Sequence, residues 1–296
     1  MSVTTSTSED VSFEMRPYAR EVEEIRKIEI SARSARHRAF APPPAAVQRA
    51  LPLLPSIVVA VILLLAWYLS TAYGHVPSLI LPAPGDVLAS LGSGLSSGLF
   101  QSNALVTIQE SLFGFLLALA VALPLGYALA KSRLIAAAVH PYLAAAQAIP
   151  AIVIAPLLGL WLGYGLGPNL VLCMLIVLFP MVITTILGVQ TIDPEVTDAA
   201  RLDGAGGWSL LAQVEFPLAL PAVLAGVRTS LTLSITGALV GELVNNSPTG
   251  LGYLILLAKN QYDLALMFAT LVILALLAAL YYGFSWLLTR LAAIVY

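Results

Sequence analysis

Six stretches of this chain, at about 53–72, 105–130, 135–160, 167–188, 219–244 and 265–289, run for roughly twenty residues or more with almost no charge. No feature restricts the fold more. About twenty apolar residues wound as a helix cross the roughly 30 Å of a bilayer's hydrocarbon. A backbone in lipid must satisfy its own hydrogen bonds, which only helices and closed barrels do, and these runs are too long and too uniformly apolar for barrel strands. The expectation is an all-α, polytopic membrane protein with six transmembrane helices. Composition agrees, since 59% of the residues are apolar, 10% are charged and the mean hydropathy is +0.91, outside the range of a soluble domain.

Lys and Arg orient the spans. With the N-terminus inside, the cytosolic parts carry Lys131, Arg133, Arg201, Arg290 and the basic residues of positions 1–50, whereas the outer loops carry only Lys259. Both termini are therefore expected in the cytoplasm, the chain crossing a bacterial plasma membrane several times. The net charge of −2 is sorted by side and points to no nucleic-acid partner. Cys173 is the sole cysteine, and His75, His140 and the scattered carboxylates show no metal spacing and no nucleophile motif, so neither a metal, a cofactor nor an enzymatic reaction is expected.

Residues 1–50 read as a cytoplasmic N-terminal tail, partly helical, with Glu23–Lys27 and Glu29–Arg33 at i,i+4 and a stiff break at Pro42, Pro43 and Pro44. Its charge makes a cleaved leader an unsuitable reading, so the first span is expected to remain as an anchor. Residues 51–296 form the transmembrane domain. After the first span, "VPSLILPAPGDVLASL" starts an outer loop in which Asp86 is expected to cap a short surface helix.

Between spans four and five the apolar pattern stops for a hairpin at 193–217. Asp193 is placed to cap a helix with Pro194 at its first position, Gly204 to end it in a left-handed turn, and "WSLLAQVE" to form a second helix that stops at Pro217. Helix connections in bundles commonly take two to eight residues. A longer, projecting hairpin suits protein docking, with Leu210, Leu211 and Val214 as an apolar face, or a position flat on lipid headgroups.

This stretch resembles the cytoplasmic signature of binding-protein-dependent ABC importer permeases, E-A-A, three residues, G, nine residues, I-x-L-P. Asp198, Ala199, Ala200, Gly204, Val214, Phe216 and Pro217 keep its full spacing, with Asp for Glu, Val for Ile and Phe for Leu. "LPAPGDVL", "AIPAIVIAPLLGLWLG" and "TGLGYLI" extend the resemblance toward the nitrate, sulfonate, taurine and vitamin-precursor branch. The resemblance implies that the hairpin seats in a separate ATP-binding cassette ATPase subunit, that the permease pairs with a second copy, and that an extracytoplasmic binding protein delivers the substrate. No G-x-x-x-x-G-K-[ST] loop is present, so ATP hydrolysis would be borrowed in trans. "GALVGE" is similar to permeases for riboflavin or the thiamine pyrimidine, with sulfonate, taurine or nitrate as the alternative. A transporter or channel driven by ion gradients is the competing class, and it needs no protruding dock.

Ionisable and kinked positions nominate the substrate path. Glu242 lies toward the outer end of span five beside Gly237 and Gly241, either lining a partly wet path or reaching headgroup water. Asn245 follows as a mouth or turn residue. Gln147, with Pro150 and Pro156 beyond, breaks the ladder of span three and frees carbonyls for a cavity, or merely shapes packing. Arg228 is expected to snorkel to the cytosolic headgroups or to help hold the hairpin, and Glu110 is a weaker candidate.

Overall fold

The computed structural model describes residues 53–74, 76–245 and 247–295. The N-terminal tail, His75 and Asn246 lie outside them. The described residues are helical throughout their regular structure: α1 (Leu53–Ala72), α2 (Pro84–Ser96), α3 (Leu99–Ala130), α4 (Arg133–Ala148), α5 (Ala151–Leu162), α6 (Leu166–Gln190), α7 (Pro194–Leu202), α8 (Trp208–Val244), α9 (Leu251–Asn260) and α10 (Leu264–Val295). The chain divides into two units, Met1–Ala66 and Trp67–Tyr296. The described part of the first is helical from Leu53 onward.

In the second unit α3, α6 and α8 pack directly on one another. Small residues permit this approach: a Cβ on Gly114 of α3 or Gly237 of α8 would collide with Cys173 of α6. Lipid tails are as apolar as Leu, so close packing rather than expulsion of apolar groups from water holds such helices together. Leu116, Phe113, Leu271 and Leu276 accordingly stay exposed on the outer faces. α9 and α10 close on α2 through Val87, Phe100, Leu251, Leu254, Ala269 and Leu274. Trp67 joins this layer, its indole Nε1 donating to Pro82 O at 3.0 Å and its ring 5.9 Å from that of Phe268.

Four helices, α3, α6, α8 and α10, are long and apolar enough to cross a membrane, and the α4–α5 pair makes five if counted as one broken span. The expected continuous span at 135–160 is corrected: α4 and α5 meet at 87°. Pro150 excludes the α conformation from Ile149, which sits extended at ψ 118°, and Pro150 itself has ψ 127°. Pro156 does not break α5. The apolar part of α1, Ile57–Ala72, falls short of the span length.

Two further expectations change. Asp86 stands in the first turn of α2 rather than capping it, because Ala83 occupies the cap and Pro84 the first helical position. "WSLLAQVE" does not stop at Pro217 but is the first part of the unbroken α8. A proline ring clashes with the carbonyl four residues back. Here a π turn over Leu211–Glu215 absorbs the clash, the Phe216 N–H donating to Leu211 O five residues behind.

Candidate coupling hairpin and path residues

Local chemistry builds α7 as a self-contained unit. Asp193 Oδ1 accepts from the Glu195 N–H at 2.9 Å, and Pro194 needs no partner at the first helical position. At the other end Gly204 takes φ +90°. Its N–H donates to Arg201 O at 3.0 Å and that of Ala205 to Ala200 O at 2.9 Å, the paired bonds of a Schellman stop. Asp198 and Arg201 form an exposed ion pair at 2.8 Å. α7 buries none of its residues, and Leu202 and Trp208 are 89% and 79% exposed. The apolar surface offered outward is thus chiefly Leu202 and Trp208, with Val196 45% exposed. Leu210, expected there, is buried, and Leu211 lines a pocket with Tyr127 and Phe216.

Beneath the hairpin lies a charged anchor that sequence reading missed. Glu215, 4% exposed, accepts from Lys131 Nζ on both oxygens and from the Tyr127 hydroxyl, each at 2.6 Å. It ties the end of α3 to the base of α8 at the π turn. Burial alone would lower the Lys131 pKa, but the hydrogen bonds it donates to Glu215 and Tyr127 outweigh it and hold the ammonium above its usual value. The available signal was Glu215 itself, a carboxylate directly before an apolar helix. Replacing Lys131 by Met strands a buried carboxylate, and because Lys131 is 40% exposed the expected loss is about 1–2 kcal/mol, below the range for fully buried pairs. Thermal melting of the purified protein checks this, and adding Glu215→Gln should restore most of the loss.

Of the path candidates, Gln147 and Pro150 line a cavity of about 330 Å³ beside Ile154, Leu172, Phe179 and Thr236. The helix break opens it. Glu242 and Asn245 are not on its wall. Glu242 has no exposed surface, in place of the partly wet setting expected. Its Oε1 accepts from Thr107 Oγ1 at 2.6 Å, and Oε2 accepts from the Gly252 N–H. Asn245 Nδ2 donates to Asn169 Oδ1 at 2.9 Å, and Asn169 Nδ2 reaches Glu110 Oε1 at 2.9 Å and Ser247 Oγ at 2.8 Å. Asn103 and Thr107 accept from the N–H groups of Gly250 and Leu251 at 2.8 and 2.9 Å.

This polar cluster therefore fastens the segment from Ser247 to Gly252 onto α3, α6 and α8. The backbone donors at the start of α9 have no partners within the helix, and these side chains supply them. Thr107, Asn103 and Asn169 carried no sequence signal, being ordinary residues inside apolar runs. The Arg228 guanidinium lies 4.2 Å from the centre of the Tyr282 ring.

A profile described as "Binding-protein-dependent transport system inner membrane component" matches residues 112–293. The riboflavin transport system permease protein RibX of Chloroflexus aurantiacus is 42% identical over 234 residues, 79% of this chain and 87% of the relative. The formylaminopyrimidine transport permease protein ThiX of Halalkalibacterium halodurans is 30% identical, over 75% of this chain and 87% of its own. Among solved structures, a chain of the inward-facing MetNI methionine ABC transporter superposes with a TM-score of 0.59 at 19% identity, covering 66% of this chain and 95% of its own; that likeness concerns the fold. The chain belongs to the binding-protein-dependent transport system inner membrane components, as a multi-pass permease subunit of ABC importers.

Proposed function

We propose that this permease imports a small heteroaromatic nutrient, a vitamin such as riboflavin or a precursor such as the thiamine pyrimidine. The observation that carries the substrate reading is the 42% identity to a riboflavin permease across 79% of the chain. The domain 51–296 supplies six spans, α1 being the first and the broken α4–α5 pair the third, behind a cytoplasmic tail at 1–50. Both termini and the hairpin 193–217 face the cytoplasm. Asp198, Ala199, Ala200 and Gly204 form the part of the hairpin that enters a cleft of the ATPase, with Leu202 and Trp208 as apolar contacts, while Val214, Phe216 and Pro217 carry the motion into α8.

Two copies of the permease pair with two ATPase subunits, and an extracytoplasmic binding protein delivers the substrate. Gln147 and Pro150 line the path where the helix break leaves carbonyls without helical partners. Glu242 and Asn245 support it from behind. Co-expression with a candidate ATP-binding cassette ATPase subunit, followed by purification and ATP-dependent uptake of labelled riboflavin into vesicles, tests the reading. Recovery of an ATP-hydrolysing partner with uptake of the thiamine pyrimidine but not riboflavin would move the substrate within the class. Gradient-driven uptake without an ATPase would overturn the reading.

A further inference from the structure

Two carboxyl groups meet inside the polar cluster. Glu110 of α3 is 2% exposed and Glu242 of α8 not at all, and their side chains are hydrogen-bond neighbours. The surrounding bonds place them together as well. Thr107, one turn before Glu110 on α3, donates to Glu242, and Asn169 donates to Glu110 while accepting from Asn245, three residues past Glu242.

No cation balances the two. The ion pairs among the described residues are Lys131–Glu215 and Arg201–Asp198, both elsewhere. The titratable side chains brought nearest by α6 and α10 are Cys173, whose thiol donates to Ser234 O, and Tyr281, whose hydroxyl lies 2.9 Å from Ser111 Oγ. α9 contributes the Gly252 and Leu251 N–H groups.

The hydrogen bonds leave one acceptor over. Glu242 uses both oxygens, on Thr107 and Gly252, and Glu110 Oε1 accepts from Asn169, but Glu110 Oε2 is buried and meets no donor. Were both groups ionised, that oxygen would sit without a partner beside a second negative charge, away from solvent. Buried polar atoms are normally satisfied, and two carboxylates sharing one buried site do not both stay charged. A proton on Oε2 removes both faults, because it cancels one charge and turns the orphan acceptor into a donor.

We infer that the pair is a proton-binding site, in which Glu110 Oε2 carries the proton and donates it to the Glu242 carboxylate. The bridge joins α3 to α8 at the point where Glu242 holds the start of α9, and it is independent of the substrate carried. A glutamate in an unfolded chain is ionised at neutral pH, so forming the bridge takes a proton from solvent and opening it gives one back. Opening is therefore favoured as pH rises. The Ser247–Gly252 segment is fastened firmly in acid and neutral conditions and released in alkaline ones.

The assembled transporter in nanodiscs is followed by infrared spectroscopy and by hydrogen-exchange protection over 247–260, from neutral pH to about pH 10. The wild-type spectrum should contain the carbonyl band of a buried carboxylic acid, and Glu110→Gln should lose it. Wild-type protection should fall on the alkaline side by up to about tenfold per pH unit, the slope for one proton, over the range in which the band disappears. Glu110→Gln, whose amide still donates to Glu242, should match the wild type at neutral pH and keep its protection in alkali. Should that variant fail to assemble, the wild type alone decides, through the coincidence of band loss and protection loss. An alkaline loss as steep in Glu110→Gln as in the wild type would overturn the inference. So would a wild-type spectrum without the band, and protection that then followed sodium concentration would put a monovalent cation in the proton's place.

Discussion

Glu242→Leu should lower the thermal stability of the permease by several kcal/mol and abolish uptake, whereas Glu242→Gln should retain most of the stability and part of the uptake. The carboxylate accepts from the Thr107 hydroxyl and the Gly252 N–H while wholly buried. Leucine accepts nothing, and each buried donor left without a partner costs about 1–3 kcal/mol. Glutamine keeps one acceptor oxygen in the same place and loses only the other. The segment Ser247–Gly252 would be the first to loosen, and α9, which begins at Leu251, would loosen with it. Melting curves together with hydrogen exchange over 247–260 check the prediction. Protection there unchanged in Glu242→Leu would show that the cluster does not fasten this segment.

Gly204→Val should leave insertion and folding intact but reduce ATP-driven uptake by an order of magnitude or more. The residue sits at φ +90° with open space around it, so the substitution meets no clash. Its cost is conformational, roughly 1–2 kcal/mol for an L residue in left-handed backbone and more for one branched at Cβ. That is too little to unfold a bundle and enough to undo the Schellman stop that sets the angle between α7 and α8. Uptake and ATPase stimulation measured in the same vesicles separate the two effects, and normal transport would remove Gly204 from the coupling reading. Gly204→Ala, with a smaller strain, should fall between.

The elements most legible in the sequence were those governed by local rules. The cap at Asp193, the proline at 194 and the glycine stop at 204 each follow from one residue's backbone preference, and the structure has them at those positions. The break at Pro150 was legible as a kink but not as an 87° turn, because proline forbids the helix at the residue before it without fixing where the chain goes next. Pro217 misled for a related reason. Its clash was real, yet a π turn five residues long relieved it, and nothing in "LAQVE" announces one.

The polar cluster was the least legible part. Glu242 could be singled out because a carboxylate in an apolar run is costly, but its partners Thr107 and Gly252 come from two other elements, and Asn169, which joins Asn245 to Glu110, from a third. Their meeting depends on how α3, α6 and α8 pack, and a hydropathy pattern does not carry that register. The same holds for Lys131 and Glu215, separated by 84 positions and joined only by the fold.

The unbroken run of α8 from Trp208 to Val244 has a mechanical consequence. Glu215, anchored by Lys131, is a natural fulcrum. At 1.5 Å rise per residue the arm from Trp208 to Glu215 is roughly 10 Å and the arm from Glu215 to Val244 roughly 43 Å, a ratio of about four. A push of about 1 Å at the exposed Trp208 end is then geared up to about 4 Å at the far end, where Glu242 grips the Ser247–Gly252 segment. The stroke comes with a matching loss of force, so the distant segment must be held by bonds weak enough to yield to a quarter of what is applied at the hairpin.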